Sequence, residues 1–290
     1  MNSPSPLGEG RGEGNQLTTA LAIERQGPIG LVTMNRAERH NAFDDALIAE
    51  LTEALRSMEA EDGIRVLVLS GAGKSFSAGA DLNWMRRMAG FSMEENRRDA
   101  MGLAALMRTL AHLRKPTIAR VQGPAYGGGV GLVACCDVAI ATQSATFALT
   151  EAKLGLIPAV ISPYVIAAIG ERAARRYFLS AERFPAAEAF RLGLVHDLAI
   201  SDGDMDEKIG VVVDSMLACG PVAQREAKEL IRAVAGRPVT SELLQDTAER
   251  IAKLRASPEG REGVAAFLEK RRASWVPPDP DPVVPPEPLP

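Results

Sequence analysis

A run of glycines shortly after an apolar strand is the feature that most constrains this chain. Thr117–Val121 is a short apolar run typical of a buried strand. Gly127, Gly128 and Gly129 follow it, with Gly131 two residues further on. Glycines in this place let the backbone come close to another group and direct its N–H donors toward it. The pattern therefore predicts a turn whose backbone donors face a bound group.

One carboxylate, Glu151, stands near the end of the same stretch, among mostly apolar and small residues and after a second strand candidate over Val138–Ala141. A carboxyl group in apolar surroundings has its ionisation perturbed, and this suits general acid–base work. Backbone donors together with one glutamate are the groups that chemistry beside a carbonyl requires.

Two other interpretations of the glycines stay open. Gly129–Ala134 fits the dinucleotide fingerprint, and Glu151 lies about 20 residues on, where an acid would bind a ribose. The unit before it lacks the usual strand–helix–strand spacing, which disfavours this interpretation. The other is a purely structural turn with close helix packing. Membrane packing is excluded because no run here reaches the ~18 apolar residues that a span needs.

Gly71–Ser75 resembles the end of a phosphate-binding loop, but the pattern is incomplete. The motif requires glycine at position 68, where this chain has Val68 inside a predicted strand over Arg65–Ser70. A nucleotide triphosphatase is therefore rejected, and Lys74 is interpreted as a solvated loop cation.

The composition restricts the class of protein further. Of the 290 residues, 46% are hydrophobic and 24% are charged, which is typical of a globular protein. The net charge of −4 argues against general nucleic-acid binding, which requires a basic face. Cys135, Cys136 and Cys219 have no metal-ligand spacing, so we expect no metal site and a reducing, cytoplasmic compartment. We also expect no signal peptide and no membrane association.

The chain divides into four regions that differ in composition and in predicted secondary structure. Residues 1–16 are rich in Gly, Pro, Ser and Glu, which predicts a disordered leader. Residues 17–203 alternate strand and helix patterns, which predicts an α/β domain with parallel strands covered by helices. Consecutive amphipathic helices over residues 204–275 predict a helical appendage. Residues 276–290 are rich in Pro and Asp and predict an extended tail.

Two local predictions concern the α/β region. Leu21–Ile23 and Ile29–Thr33 are expected to pair as a hairpin across a turn-forming sequence. Ile161–Ile169 and Glu171–Leu179 are expected to be helices that are separated at Gly170.

Three motifs occur in one order along the chain. They are Phe76–Leu82 (FSAGADL), Gly123–Gly129 (GPAYGGG), and Glu151 followed by Leu154–Pro158 (LGLIP). Together they resemble the enoyl-CoA hydratase/isomerase (crotonase) superfamily, over roughly residues 17–275. The sequence around the glycines and Glu151 is most similar to the branch of bacterial 3-methylglutaconyl-CoA and isohexenylglutaconyl-CoA hydratases.

The resemblance implies a fold, an assembly and a catalytic site. The implied fold is α/β, a spiral core of repeated ββα turns followed by a C-terminal helical trimerisation domain, and the implied assembly is a trimer or a dimer of trimers. By motif, the backbone N–H groups of Ala80 and Gly128 match the two arms of an oxyanion hole. Glu151 matches the glutamate that handles the water and the proton on the α-carbon.

The chain departs from the two-carboxylate hydratases at Gly131, where they carry a second glutamate. Hydration by Glu151 alone, or with help from a carboxylate of the substrate or a residue from elsewhere in the chain, is one consequence. An isomerase that moves a double bond from the 3- to the 2-position with one base is another. A homologue without enzymatic activity that binds CoA or RNA is the third.

The same resemblance implies contacts to coenzyme A. In the first half of the chain the matching positions are Arg39, His40, Ala78, Asp81 and Leu82. Phe267 and Lys270, near the end of the last predicted helix, match positions that reach the CoA of a neighbouring subunit.

We therefore expect an enoyl-CoA hydratase acting on a branched and carboxylated acyl group, such as 3-methylglutaconyl-CoA, in leucine or terpene breakdown. CoA would enter as part of the substrate, and no separate cofactor is expected. A distal substrate carboxylate would need a cation, for which the sequence offers four unranked candidates. They are Arg86, Arg87, Arg120 and Arg172.

Overall fold

A computed structural model describes residues 16–17 and 20–278 of the chain. The chain divides into two compact units, and the boundary lies between Asp214 and Ser215. This boundary lies later than the start of the predicted helical appendage at residue 204. Most of the predicted leader and tail falls outside the described residues, although Gln16 lies in the first strand.

A seven-stranded sheet forms the centre of the first unit. β2 pairs antiparallel with both β1 and β3, and the other neighbouring strands are parallel. Its order is β1-β2-β3-β4-β5-β7-β10, which contains the predicted hairpin as β2 and β3. The strands are β1 (Gln16–Leu17), β2 (Leu21–Gln26), β3 (Ile29–Met34), β4 (Val66–Gly71), β5 (Thr117–Val121), β7 (Val138–Thr142) and β10 (Asp197–Ala199).

A second, three-stranded sheet was not anticipated from the sequence. It consists of β6 (Ala125–Tyr126), β8 (Thr146–Ala148) and β9 (Arg183–Pro185), in the order β6-β8-β9. β6 follows β5 and β8 follows β7 after a few residues. The chain therefore passes from the first sheet to the second at both places before the next helix begins. Strands of two or three residues are too short to show the alternation that predicts a strand.

Within residues 20–278, seven helices belong wholly or mainly to the first unit. They are α1 (Asp45–Ala60), α2 (Leu82–Met88), α3 (Met93–His112), α4 (Gly128–Cys135), α5 (Ser162–Ser180), α6 (Ala186–Leu192) and α7 (Asp202–Leu217), with 3₁₀ turns over Ala37–Arg39 and Glu151–Leu154. The side chain of Asp44 caps α1 by accepting from the Leu47 N–H at 2.9 Å. Leu47, Leu51 and Leu55 then repeat on one face of α1 and are fully buried.

The second unit contains the end of α7 and three further helices. They are α8 (Pro221–Val234), α9 (Ser241–Ala256) and α10 (Pro258–Leu268). Pro221 and Pro258 each occupy the first turn of their helix, where the missing N–H costs nothing. The final helix ends at Leu268, where the chain turns, and Lys270 adopts a positive φ of 54°.

None of the helices described for residues 20–278 combines the length and the apolar character that crossing a membrane would require.

Candidate active site

Glu151 is the first residue of the 3₁₀ turn that follows β8, and its carboxyl group is largely buried. Its Oε2 atom is buried and has no hydrogen-bond partner among the residues that the structure describes. Burial raises the pKa of this carboxyl, and the hydrogen bond from its own backbone offsets only part of that effect. The residue therefore has the perturbed ionisation expected of a group that exchanges protons.

The glycine turn meets Glu151 directly. Gly127 has a φ of +50°, in the region that favours glycine. A Cβ on Gly127 would lie 3.2 Å from Glu151 Oε1 and 3.9 Å from the Cα of Gly79. The second and third sequence motifs thus converge with the first at one point, and any side chain at Gly127 would enter the space beside the carboxyl.

The backbone around Ala80 leaves its N–H unused. The Phe43 N–H donates to the Gly79 carbonyl at 2.7 Å, and the Asp81 N–H donates to the Phe43 carbonyl at 2.7 Å. Phe43 and Ala80 thus form a parallel β-bridge, in which the N–H of Ala80 points away from Phe43. Throughout the described part of the chain, no protein acceptor receives this N–H.

The N–H of Gly128 is available for a different reason. Gly128 is the first residue of α4, so its N–H has no acceptor within the helix. Among residues 20–278, no other protein acceptor receives it. The position must also be small, because a Cβ there would lie 3.1 Å from the ring of Phe43. Two unused backbone donors and one buried carboxyl therefore belong to the same three motifs.

Gly131 lies against apolar side chains. A Cβ at this position would lie 2.3 Å from Ile161 Cγ2 and 3.2 Å from Met107 Cε. Ile161 is 2% exposed and Met107 is fully buried, so a side chain at position 131 would have to displace buried apolar neighbours. The chain therefore lacks both the side chain of a second carboxylate and the room for one.

The predicted CoA contacts at Arg39 and His40 lie on the loop before α1. Arg39 is half exposed, and its Nη1 lies 3.7 Å from Asp81 Oδ2. The ring of His40 makes a hydrogen bond through Nδ1 to Ser75 Oγ at 3.0 Å. The His40 carbonyl accepts from the N–H of Ala78, a third predicted contact, at 2.9 Å. The fold thus brings these positions together beside Ala80.

Asp81 and Leu82 complete that group. Asp81 is buried, and its side chain caps α2 by accepting from the Asn83 N–H at 2.8 Å and the Trp84 N–H at 3.2 Å. Leu82 is 68% exposed, as the first residue of the helix. The remaining predicted contacts, Phe267 and Lys270, belong to the second unit, where Phe267 is 82% exposed.

The four arginines considered for a distal carboxylate differ in their partners. Arg87 pairs with Asp45, and Arg120 pairs with Asp206 at 2.7 Å. Arg86 donates to an amide oxygen on its own helix instead. The fourth, Arg172, lines an open cleft of about 620 Å³ between α5 and α6.

Arg36 is a residue near the site to which the sequence analysis assigned no role. It is 7% exposed, and its Nη1 lies 2.7 Å from Asp44 while its Nη2 lies 3.8 Å from Asp81. One buried cation therefore holds the N-cap residues of both α1 and α2. The sequence signal was weak, because the three residues are far apart along the chain.

Comparison with known proteins agrees with this geometry. A family model described as enoyl-CoA hydratase/isomerase matches residues 24–277. The chain belongs to the enoyl-CoA hydratase/isomerase family. Its α/β fold is accordingly the crotonase fold, as the sequence motifs predicted.

Individual relatives cover nearly the whole chain. The crystal structure of an enoyl-CoA hydratase from Shewanella pealeana is 44% identical, with a TM-score of 0.86 over 88% of this chain and 96% of that one. The 2,3-dehydroadipyl-CoA hydratase of Escherichia coli is 32% identical over 87% of this chain and 96% of its own length. The crotonyl-CoA hydratase of Syntrophomonas wolfei is 28% identical over 88% and 97%.

Proposed function

We propose that this enzyme adds water across the α,β double bond of an enoyl-CoA thioester. The observation that carries the proposal is the approach of the glycine turn to a largely buried carboxyl whose Oε2 has no hydrogen-bond partner among the described residues, with 3.2 Å between the Cβ position of Gly127 and Glu151 Oε1. Family membership and relatives named as hydratases support it.

The free backbone donors would act on the thioester oxygen. This oxygen gains negative charge when water attacks the β-carbon and an enolate forms. The N–H groups of Ala80 and Gly128 would stabilise that charge, and one such donor contributes about 2.7–4 kcal/mol in comparable sites. The scheme needs no metal or redox group, because CoA supplies the activated carbonyl as part of the substrate.

Glu151 would manage the proton transfers. As a carboxylate it takes a proton from the attacking water, and as a carboxylic acid it gives a proton to the α-carbon of the enolate. The raised pKa of Glu151 lies closer to neutral pH than that of an ordinary glutamate. The carboxyl can therefore both accept and donate a proton during the reaction. Gly131 supplies no second acid, so this single group would perform both transfers.

For the acyl group we propose a branched, carboxylated enoyl chain such as 3-methylglutaconyl. The sequence resemblance around Glu151 supports the branch. The name of the Escherichia coli relative, a 2,3-dehydroadipyl-CoA hydratase, shows that a relative acts on an acyl group with a distal carboxylate.

The test is loss of the enoyl-thioester absorbance with 3-methylglutaconyl-CoA and with crotonyl-CoA. Wild type should consume at least the first, and Glu151→Gln should lower kcat by about 10²–10⁴-fold. Glu94→Gln, a matched change on an exposed part of α3, should leave the rate unchanged. A wild-type protein that hydrates no enoyl-CoA would refute the proposal.

A second candidate function, isomerisation of a 3-enoyl to a 2-enoyl thioester, is favoured by the packing of Ile161 against Gly131. Moving a proton between the α- and γ-carbons requires one base, and Glu151 is that base in this scheme. Conversion of 3-hexenoyl-CoA without formation of a hydroxyacyl product would support isomerisation over hydration.

A further inference from the structure

Asn41 is a buried amide that joins two loops. It is 0% exposed. Its Oδ1 accepts from the Arg36 N–H at 2.9 Å, and its Nδ2 donates to the carbonyl oxygens of Ala72 and Ser75 at 2.9 Å and 2.8 Å. The oxygen and the amino group of the side chain are thus both bonded inside the protein. The side chain is therefore a rigid link between the loop before α1 and the loop after β4.

Ser77 extends this link to the glycine turn. It is also 0% exposed, and its Oγ donates to the Asn41 carbonyl at 2.9 Å. Its own N–H donates to the Pro124 carbonyl at 3.1 Å, and its carbonyl accepts from the Tyr126 N–H at 2.8 Å. Because Tyr126 directly precedes Gly127, continuous hydrogen bonds run from Asn41 to the turn that presents the Gly128 donor.

The neighbours of Asn41 also hold the segment that carries Ala80. The His40 carbonyl, directly before Asn41, accepts from the Ala78 N–H at 2.9 Å. Two residues after Asn41, Phe43 makes the two backbone hydrogen bonds that flank Ala80. The position of one short segment thus determines where the Ala80 N–H points.

We propose that Asn41 and Ser77 are positioning residues that fix the N–H groups of Ala80 and Gly128 relative to each other. The inference rests on the proposed function, in which these two donors share one oxygen. Both residues act through the backbone. Since the oxygen becomes charged only during the reaction, displacement of a donor weakens the transition state more than it weakens substrate binding.

Ser77→Ala is the cleanest variant, because it removes one hydroxyl group and keeps the backbone hydrogen bonds of the residue. We expect kcat with 3-methylglutaconyl-CoA to fall by about 10- to 100-fold, the effect of a small misplacement at a site. We expect KM to stay within about twofold, since the lost interaction belongs to the transition state. Asn41→Asp should be at least as damaging, because its carboxylate faces the two carbonyl oxygens without donors.

Thr52→Val is the matched control. It removes another buried hydroxyl, whose Oγ1 donates to the Ile48 carbonyl at 2.6 Å within α1, and it should lower the melting temperature without lowering kcat. If Asn41→Asp does not fold, Ser77→Ala carries the test alone. Equal kcat values for Ser77→Ala and Thr52→Val would overturn the proposal.

A second readout separates positioning from general structural damage. Acetoacetyl-CoA forms an enolate that absorbs in the near ultraviolet, so its absorbance reports the oxyanion donors directly. Ser77→Ala should weaken this band while the Kd of butyryl-CoA, which stays a neutral thioester, is unchanged. Parallel loss of both would mean a merely structural role and would overturn the inference.

The enolate readout also distinguishes this inference from the proposed function. A wild-type enzyme that hydrates no enoyl-CoA, yet forms an enolate band that Ser77→Ala weakens, would refute hydration and leave the positioning role supported. Absence of the band in a wild-type enzyme that hydrates enoyl-CoA would refute the positioning role and leave hydration supported.

Discussion

At the scale of single residues, Glu151 is held where its ionised carboxylate would be poorly solvated. Its Oε2 atom is buried without a partner among the described residues, and burial raises the pKa of the carboxyl. A group held in this way destabilises the folded protein when it ionises, and the same burial would suit Glu151 to the proton transfers that we propose for it.

Glu151→Gln is therefore expected to stabilise the protein at high pH. The pKa of Glu151 is raised in the folded state, so its contribution to stability is present in full below the unfolded pKa and is lost as pH rises through the folded pKa. The amide of the variant does not titrate. The variant should melt a few degrees above wild type at pH 8 and show a smaller difference near pH 4, in thermal unfolding followed by circular dichroism.

Glu94→Gln, the same substitution at an exposed carboxyl, is the control and should not raise the melting temperature. A Glu151→Gln protein less stable than wild type at pH 8 would contradict this assignment of cause.

Gly131 is a residue at which added volume should destabilise the fold. A Cβ there would lie 2.3 Å from Ile161 Cγ2, so Gly131→Ala should lower the free energy of unfolding by about 1–3 kcal/mol. Denaturant unfolding measures this value. Gly63→Ala is the control, because nothing lies within 4 Å of its Cβ position. Adding Ile161→Ala to Gly131→Ala should cost less than the sum of the two single changes.

At the scale of elements, α5 contains a break. Gly170 has φ 74° and ψ 160°, which are not helical values. Ser162–Ser180 therefore consists of two helical segments that meet at a kink at Gly170, as the sequence predicted. The conformation belongs to a region of backbone space that is essentially restricted to glycine.

Gly170→Ala should therefore destabilise the first unit through backbone strain alone. Nothing lies within 4 Å of its Cβ position, so no clash contributes, and we expect a loss of about 1–3 kcal/mol in denaturant unfolding. Gly102→Ala, in the interior of α3 with 4.0 Å to its nearest neighbour, should instead gain about 0.5–1 kcal/mol. A neutral result at Gly170 would mean that the break straightens at little cost.

At the scale of the whole molecule, the second unit exposes many apolar side chains. They are Ile231, Val239, Leu244, Ile251, Val264, Phe267 and Leu268. Leu244 and Ile251, seven residues apart on α9, share one face of that helix. Exposed apolar side chains of this kind are typical of subunit contacts when they form a continuous surface, and the resemblance implies a trimer.

We expect Leu244→Glu combined with Ile251→Glu to shift the protein toward smaller species. Sedimentation equilibrium should give three times the chain mass, or six times, for wild type and a lower mass for the variant, because buried unpaired charges oppose association. Met93→Glu places the same charge on an exposed residue at the start of α3, where helix geometry tolerates it, and should not change the mass. A monomeric wild type would contradict the prediction.

Much of this architecture could be predicted from local patterns. The predicted strand Thr117–Val121 has the same bounds in the structure. The amphipathic helical pattern after residue 204 corresponds to α7–α10. The second sheet could not be predicted, because strands as short as Ala125–Tyr126 form only where a neighbouring strand supplies hydrogen bonds.

The sequence by itself determined the family, the parallel sheet, the glycine turn and the presence of Glu151 shortly after that turn, because each depends on residue type or on short-range spacing. Only the tertiary structure decided what surrounds those groups. The packing of Ile161 at Gly131, the link from Asn41 through Ser77, and the cation Arg36 between two helix caps all join residues that are distant in sequence. Such contacts depend on how the elements pack, and that information is not present in any single stretch of the chain.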